Sequence, residues 1–388
     1  MNGKLKLGEL AEIVSGSTPK TNIKEYWDGD VLWITPAEIQ EDDYYIADTQ
    51  RKITNLAVER TNLKILPKGT VLLSSRAPIG KVAICDNNMY CNQGFKNIIC
   101  SDRLENRYVY YFLKHNVEYI KSLGRGATFK EISKGIVENL EIPYRNKKEQ
   151  IEIANKLDKI KEIINIRKKQ IKKFDEIIKS HFSEVFGTPL VNEKNWIIKK
   201  TFEICLKITD GSHYSPIDIG QGYPMLSVKD MRNDGFHYEN CKKVSSKDFD
   251  KLKNMDCVPK KNDLLISKDG SFFCYGFVVE KEKEEGVLSS IAILRPDVKK
   301  INPYYLRYYM LSEEIVNYVS INYVTGAALK RVILKGIKEI PVMLPPIELQ
   351  NKFADSVKQI DKQKFKIEKS LKEMQELYES LMNKYFGE

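Results

Sequence analysis

The stretch that decides the fold is NKKEQIEIANKLDKIKEIINIRKKQIKKFDEIIKSHFSEVFG, residues 146–187. Positions alternately four and three residues apart form a heptad seam, which predicts a long helix that pairs with another helix. The seam consists of Ile153, Leu157, Ile160, Ile164, Arg167, Ile171, Phe174, Ile178, His181 and Val185. No proline lies between Tyr144 and Pro189, so nothing in this stretch interrupts a helix.

The same pattern returns at an offset of 200 residues, in the segment 346–388. The second seam consists of Phe353, Val357, Ile360, Lys364, Ile367, Leu371, Met374, Tyr378, Leu381 and Tyr385. Each helix would be about 60 Å long, far more than a small domain needs to cover its own core. Polar seam residues such as Arg167, His181 and Lys364 are of the kind that fixes register in a coiled coil. Two ordinary long surface helices are the alternative.

Composition fits a globular protein of two or three domains, since 42% of the 388 residues are hydrophobic. The chain has no run of 18 apolar residues and no hydrophobic signal core near Met1, so we expect a cytoplasmic protein. Seven scattered cysteines form no Cys-x-x-Cys pair, which argues against a disulfide framework or a zinc site. A net charge of +10 favours an anionic partner such as nucleic acid.

The sequence between the helices is also repeated, which predicts an α+β protein built from a tandem duplication. From Gly126 to Gly187 the offset is a constant 200, with identities that include Gly126, Ala127, Lys130 and Gln150. We therefore predict a globular domain over 1–145, a helix over 146–187, a second domain over 188–345 and a second helix over 346–388. The helices would form an antiparallel coiled coil, with the two domains at its opposite ends and an approximate two-fold axis between them.

Polar turns in both domains have side chains that suit DNA phosphates and base edges. Each residue taken singly is equally typical of a solvated turn. In the first domain the candidates are Ser17, Thr18, Lys20, Ser75, Arg76, Asn92, Gln93, Arg125, Thr128 and Lys130. In the second they are Asp210, Ser212, His213, Ser267, Lys268, Ser289, Ser290, Thr325 and Lys330. We align Ser289-Ser290-Ile291 with Asn92-Gln93-Gly94, and Leu264 to Lys268 with Leu72 to Arg76. Two domains held apart by helices would suit duplex DNA, whose half-sites recur on one face about every 34 Å.

Signals for catalysis are weak. The four histidines, at 115, 181, 213 and 237, are dispersed, and no nucleophile elbow, phosphate-cradling glycine loop or spaced metal-ligand cluster occurs. Asn302-Pro303-Tyr304-Tyr305 superficially suggests an amino-methyltransferase motif, but it lacks a companion cofactor loop. We interpret it as the start of a helix.

Several motifs together resemble the DNA-specificity (S) subunit, HsdS, of type I restriction-modification systems. They are Leu7-Gly8-Glu9, Ser17-Thr18-Pro19, Trp33-Ile34-Thr35-Pro36, the run from Leu66 to Gly80, Asn92-Gln93-Gly94-Phe95, and the Phe-Gly that ends each long helix. The resemblance extends over the whole chain. The second domain departs from the first, with Ser289-Ser290 in place of Asn-Gln and Lys268-Asp269-Gly270 in place of the Arg-Ala-Pro stretch.

This resemblance implies that each domain is a target-recognition domain for one half of a bipartite site in double-stranded DNA. The helices would fix the spacer between the halves. Two methylation (M) subunits would supply S-adenosylmethionine chemistry, and restriction (R) subunits would supply cleavage dependent on ATP and Mg²⁺. The chain itself would have no cofactor, no metal and no catalytic residue. A stand-alone DNA-modifying enzyme and a coiled-coil scaffold remain as alternatives.

Overall fold

The computed structural model describes residues 3–76, 78–125, 130–232, 235–325 and 330–387, so Thr128 lies outside the described residues. The chain divides into two compact units. Unit 1 comprises Met1–Ile166 with Leu371–Glu388, and unit 2 comprises Arg167–Ser370. Each unit therefore contains a globular part and a portion of both long helices.

Over the described residues up to the end of the first long helix, ten strands and six helices follow one another. The strands are β1 Lys4–Lys6, β2 Ala11–Ser15, β3 Trp27–Ile34, β4 Tyr45–Ile46, β5 Lys52–Ile53, β6 Val71–Leu73, β7 Val82–Cys85, β8 Tyr90–Cys91, β9 Lys96–Cys100 and β10 Glu141–Pro143. The helices are α1 Leu7–Leu10, α2 Asn55–Arg60, α3 Asn106–His115, α4 Val117–Ser122, α5 Lys134–Glu138 and α6 Lys147–Phe186.

The globular part of unit 1 is built around a five-stranded sheet in the order β2-β9-β6-β7-β4, in which only β4 and β7 pair in parallel. A smaller sheet has the order β5-β3-β8, and β1 pairs antiparallel with β10. Asn116, with φ −95° and ψ 17°, separates α3 from α4. Its side-chain amide donates to the carbonyl of Phe112 at 2.9 Å and takes the chain out of helical geometry.

The described part of the second half repeats this layout with thirteen strands and six helices. The strands are β11 Ile197–Lys200, β12 Cys205–Asp210, β13 Tyr223–Leu226, β14 Met231–Arg232, β15 Gly235–Phe236, β16 Lys242–Val244, β17 Leu264–Ser267, β18 Gly276–Val278, β19 Gly286–Val287, β20 Ile291–Pro296, β21 Val324–Thr325, β22 Arg331–Val332 and β23 Pro341–Leu344. The helices are α7 Thr201–Ile204, α8 Ser246–Asn254, α9 Pro303–Met310, α10 Glu313–Asn322, α11 Leu334–Glu339 and α12 Ile347–Phe386.

Unit 2 has a four-stranded sheet in the order β12-β20-β17-β18 and a three-stranded sheet in the order β16-β13-β19. Two-stranded pairs join β11 to β23, β21 to β22 and β14 to β15. The prediction that Asn302-Pro303 starts a helix is confirmed. Asn302 caps α9 by accepting a hydrogen bond from the backbone N–H of Tyr304, and Pro303 occupies the first helical turn.

The long helices pair in antiparallel fashion within each unit. In unit 1, Ile153 and Leu157 near the start of α6 share a core with Met382 and Phe386 at the end of α12. In unit 2, residues near the end of α6 share a core with residues near the start of α12, where His181 stacks on Phe353 with ring centroids 5.5 Å apart. The predicted α+β architecture with an antiparallel pair of long helices is therefore confirmed.

Every residue of the two predicted seams is buried or half-buried, whereas most residues on the other helix faces are exposed. The seam members proposed above are Leu157, Ile160, Ile164, Ile171, Phe174, Ile178, Val357, Ile360, Ile367, Leu371, Met374 and Tyr378. The polar seam residue Lys364 donates from Nζ to Asp175 Oδ1 at 2.6 Å, so a charged pair joins the two helices inside unit 2.

A buried glutamine attaches the start of each long helix to the globular part beside it. Gln150 is fully buried; it accepts from the N–H of Glu105 and donates to the carbonyls of Arg103 and Arg145. Gln350 makes the corresponding bonds in unit 2, from the N–H of Asn302 and to two backbone carbonyls. The same three hydrogen bonds therefore attach the long helix to the globular part in both units.

An aspartate on each long helix forms a second attachment. In unit 1, Asp158 accepts from the hydroxyls of Tyr44 and Tyr111, both at 2.6 Å, and from Arg107 at 2.8 Å. In unit 2, Asp361 accepts from Arg307 and Tyr308, both at 3.2 Å. These aspartates are not at equivalent repeat positions, since Asp158 corresponds to Lys358 and Lys161 corresponds to Asp361 at the offset of 200.

Candidate nucleic-acid interface

Three chain segments meet at one edge of unit 1 and bring together several of the predicted polar residues. The N–H of Ser17 donates to the carbonyl of Cys91 at 2.9 Å, and the N–H of Ser75 donates to that of Gly94 at 2.7 Å. The hydroxyl of Thr18 donates to the side chain of Gln93. We call this the polar edge of unit 1; its members are Ser17, Thr18, Ser75, Arg76, Asn92, Gln93 and Glu131.

Close backbone packing explains why residue 16, just before Ser17, is a glycine. A Cβ on Gly16 would lie 2.0 Å from the carbonyl oxygen of Asn92 and 2.4 Å from that of Cys91. Only glycine lets these two backbones approach so closely. Asn92 uses its side-chain oxygen to accept from the N–H of Gly94 at 2.9 Å, which stabilises the facing turn.

Three charged side chains form a triad at the polar edge of unit 1. The carboxylate of Glu131 accepts from Lys96 Nζ at 3.1 Å and from Arg76 Nε at 2.9 Å. Burial acts to raise the pKa of the Glu131 carboxyl, but hydrogen bonds from Lys96 and Arg76 outweigh it, and the pKa lies below its ordinary value. Two backbone hydrogen bonds between Arg125 and Glu131 form a stem beside the triad.

The same backbone frame forms a polar edge in unit 2. The N–H of Ser212 donates to the carbonyl of Val287, and the N–H of Lys268 donates to that of Ser290. These bonds correspond to those of Ser17 and Ser75 in unit 1. The polar edge of unit 2 consists of Ser212, His213, Lys268, Asp269, Ser289, Ser290 and Arg331.

This correspondence corrects our alignment of the two domains by one residue. Ser290 occupies the place of Gly94, so Ser289 matches Gln93 rather than Asn92. Likewise Ser267 matches Ser74, because both hydroxyls donate to the carbonyl four residues further along the chain. Sequence similarity alone did not show this shift, because the register depends on hydrogen bonds between distant strands.

A second triad lies at the polar edge of unit 2. Asp269 Oδ1 lies 3.3 Å from Lys268 Nζ and 3.2 Å from Arg331 Nε. Lys268 Nζ is also 3.6 Å from Asp210, whose second oxygen contacts the exposed His213 at 3.2 Å. Burial holds the pKa of the Asp210 carboxyl above its ordinary value, although Lys268 and His213 oppose the shift.

The predicted site residues divide into surface and interior groups. Ser17, Lys20, Arg76, Gln93, Arg125, Lys130, His213, Thr325 and Lys330 are exposed, and Thr18, Asn92, Ser289 and Ser290 are half-buried. Ser75, Ser212, Ser267 and Lys268 are buried, which directs their hydrogen bonds to the protein itself. Those four residues therefore stabilise the polar edges from the protein interior.

The sequence interpretation missed several charged residues in and beside these edges. Lys229 and Arg232 line a groove of about 600 Å³ in unit 2, together with Ser227, Val228, Met231, Asp269, Gly270, Ser271, Tyr275 and Ser290. Lys96, Glu131 and Arg331 of the triads were also missed. The offset of 200 between Glu131 and Arg331 was a usable signal, since it marks a repeated position at which the charge reverses.

The described residues include no cluster of three or more histidine, cysteine, aspartate or glutamate side chains suited to a metal ion. In the same part of the chain, no helix is both long enough and apolar enough to cross a bilayer.

Comparisons with known proteins agree on one family. The type I restriction modification DNA specificity domain matches residues 2–176 and again residues 193–377. The chain is 30% identical to the type I restriction enzyme MjaIX specificity subunit of Methanocaldococcus jannaschii, over 99% of this chain and 92% of that protein. It is 24% identical to the EcoKI specificity subunit of Escherichia coli K12, over 89% of this chain and 82% of that protein.

Solved structures share the fold. The crystal structure of a type I restriction-modification S subunit from M. genitalium matches with a TM-score of 0.64 and 19% identity, covering 100% of this chain and 96% of that chain. A chain from a structural study of complex assembly and conformational transition in the type I system matches with a TM-score of 0.54 and 18% identity. That match covers 99% of this chain and 97% of the other.

Proposed function

Because the chain belongs to the type I restriction-modification DNA specificity family, we propose that it is the subunit that recognises the DNA target of such a system. Each unit would contact one half of a bipartite sequence through its polar edge. The observation that supports this most directly is the repetition of one backbone frame with different side chains on it. The hydrogen bonds of Ser17 and Ser75 return at Ser212 and Lys268, while the exposed residues around them differ. That combination is expected of two domains that present different base contacts on a common scaffold.

The long helices would set the distance between the two half-sites. The seam residues are buried or half-buried along both helices, and an ion pair joins Lys364 to Asp175. Both features support a stiff pair of helices with a fixed register. One additional heptad in both helices adds about 10 Å, which corresponds to roughly three base pairs of B-DNA.

The proposal gives this chain no catalytic step. Methylation subunits would bind it and supply S-adenosylmethionine chemistry, and restriction subunits would add ATP- and Mg²⁺-dependent cleavage. The purified chain, incubated with DNA, Mg²⁺ and the methyl donor, should neither cut nor methylate. Turnover without partners would instead support a stand-alone enzyme.

The decisive experiment is a map of methylated adenine in the source genome by single-molecule sequencing, with the gene intact and deleted. We expect one bipartite motif with a fixed gap to lose its methylation on deletion. If no motif changes, the proposed function is contradicted in that host.

The spacer role needs a separate variant of the same gene. One heptad is inserted after Ile166 and another after Ser370, the positions in the two helices at which the chain passes from one unit to the other. The gap in the methylated motif should lengthen by about three base pairs. An insertion in only one helix is the control, and it should abolish methylation because it breaks the pairing of the seams. A motif with an unchanged gap in the double insertion would contradict the spacer role.

A coiled-coil scaffold without a nucleic-acid role makes a different prediction about salt. Binding through several phosphate contacts should weaken steeply between 50 and 200 mM salt, roughly a thousandfold for six contacts. A flat salt dependence of DNA binding by the full chain would support the scaffold instead.

A further inference from the structure

Both units build the same order of charges from different positions in the chain. In each triad a carboxylate lies between a lysine ammonium and an arginine guanidinium. The triads are Lys96–Glu131–Arg76 in unit 1 and Lys268–Asp269–Arg331 in unit 2. The same three charges meet in both units although different chain positions supply them. This recurrence indicates that the polar edge requires the arrangement.

The exchange is visible in the backbone. Arg76 forms a β-bridge with Glu131, and Asp269 forms the matching bridge with Arg331. Unit 1 therefore has Arg76 where unit 2 has Asp269. At the facing position of the bridge, unit 1 has Glu131 and unit 2 has Arg331. A salt bridge that served only stability would gain nothing from this reversal, because exposed pairs contribute about 0–1 kcal/mol in either polarity.

The triads share one order of burial, from the lysine outward. The lysine side chains are 9% and 4% exposed, while the arginine side chains are 49% and 52% exposed. The buried ammonium thus anchors each triad, and the carboxylate beside it is 34% exposed in unit 1 and 9% exposed in unit 2. The guanidinium is the member of each triad that faces outward.

Arg76 and Arg331 each contact their carboxylate through Nε, and their terminal nitrogens are not used in that contact. Among the residues that the structure describes, neither arginine makes a hydrogen bond through its terminal nitrogens. A guanidinium fixed at Nε presents two parallel N–H donors, the geometry that matches a guanine edge or a phosphate.

We propose that Arg76 and Arg331 are equivalent DNA-contacting residues, one in each half-site, and that Glu131 and Asp269 are the positioning residues that orient them. This inference rests on the proposed function and deepens it. It assigns Arg331 as a residue that contacts DNA, and it makes Lys268 an interior anchor rather than a contact to DNA.

The first test measures methylation in cells that express the intact complex, with the wild-type gene, Arg76→Ala or Arg331→Ala. The wild-type map defines the motif and shows that the proposed function holds. Each variant should lower methylation. If the arginine contacts a base, the variant should also methylate sites with other bases in one half of the motif. The two variants should act on opposite halves. Loss without relaxation indicates a phosphate contact and also supports the inference.

The second test measures binding of the purified full chain to a duplex of the wild-type motif by fluorescence anisotropy. Loss of a bidentate arginine contact should weaken binding roughly 5- to 150-fold. Arg60→Ala in unit 1 and Lys299→Ala in unit 2 are the charge-matched controls, because both side chains are exposed and lie outside the polar edges. The controls should change binding less than about twofold.

Stability is measured in parallel, because a structural role would lower it. Removal of a half-exposed arginine should shift the melting temperature by no more than roughly 4 °C. The inference is overturned if methylation and binding are unchanged in both arginine variants. It is equally overturned if binding falls only together with a large drop in melting temperature.

A double-mutant cycle tests the positioning role of Asp269. Asp269→Asn removes the charge that orients Arg331, and Lys268, which loses the same partner, keeps its contact with Asp210. If Asp269 acts through Arg331, the double variant with Arg331→Ala should bind no more weakly than Arg331→Ala alone. Additive losses would refute the positioning role while leaving the direct contact intact.

Discussion

Replacement of Asp158 by alanine should loosen unit 1 selectively, because one carboxylate there joins a long helix to the globular part. It accepts from Tyr44 and Tyr111 at 2.6 Å each and from Arg107 at 2.8 Å. Burial and the neighbouring Asp158 hold the pKa of Tyr44 far above its usual range, and burial is the main cause of the raised pKa of Tyr111 as well. Both hydroxyls therefore remain donors at any ordinary pH.

The size of the effect follows from these contacts. A hydrogen bond to a charged group contributes about 1.5–3 kcal/mol, and removal of one partner from a buried pair costs about 3–5 kcal/mol. The Asp158 side chain is 25% exposed, and Arg107 keeps its contact with Glu105 at 3.0 Å, so water and that contact offset part of the loss. We expect Asp158→Ala to cost about 2–4 kcal/mol of unit 1 stability.

Asp361→Ala in unit 2 is the matched control. Its carboxylate makes fewer and longer contacts, to Arg307 and Tyr308 at 3.2 Å, and a loss of about 1–2 kcal/mol follows. Hydrogen exchange with mass spectrometry locates each effect. Amides of 106–115 should exchange roughly 30- to 700-fold faster in Asp158→Ala, and amides of 303–310 roughly 5- to 30-fold faster in Asp361→Ala. Equal acceleration of both segments in either variant would refute the reasoning.

Three other predictions concern stability and pH. Gln150→Ala should cost about 2–4 kcal/mol in urea denaturation, since it removes a buried side chain that bonds three backbone groups, whereas the exposed Gln363→Ala should stay within about 0.5 kcal/mol. Gly16→Ala should lower the melting temperature and weaken DNA binding, because its Cβ would overlap two carbonyl oxygens; Gly3→Ala, with open space around it, should do neither. The folded-state pKa of Glu131 lies below its ordinary 4.5, so its stabilisation is present above that pH and disappears as the pH falls through the folded-state value. Melting curves of Glu131→Gln should therefore depend less on pH below about 4.5 than those of the wild type, and equal slopes would contradict this.

The helical framework followed from the sequence because its signals are local. A heptad seam repeats every few residues, and the residues that define it are neighbours on one helix face wherever the helix lies. The polar seam residues were also informative, since Lys364 forms the ion pair with Asp175 and His181 packs on Phe353. The repeat at an offset of 200 then predicted two similar domains.

The polar edges were decided by tertiary structure. Glu131 meets Arg76 although 55 residues separate them, and such a pair has no periodic signature in the sequence. Lys268 looked like an exposed basic residue, yet its backbone pairing with Ser290 places it in the interior. Strand register set these outcomes, because a shift of one residue moves a side chain to the opposite face of the sheet. The sequence therefore determined the helices and the repeat, whereas long-range strand pairing determined which charges meet and which arginine faces outward.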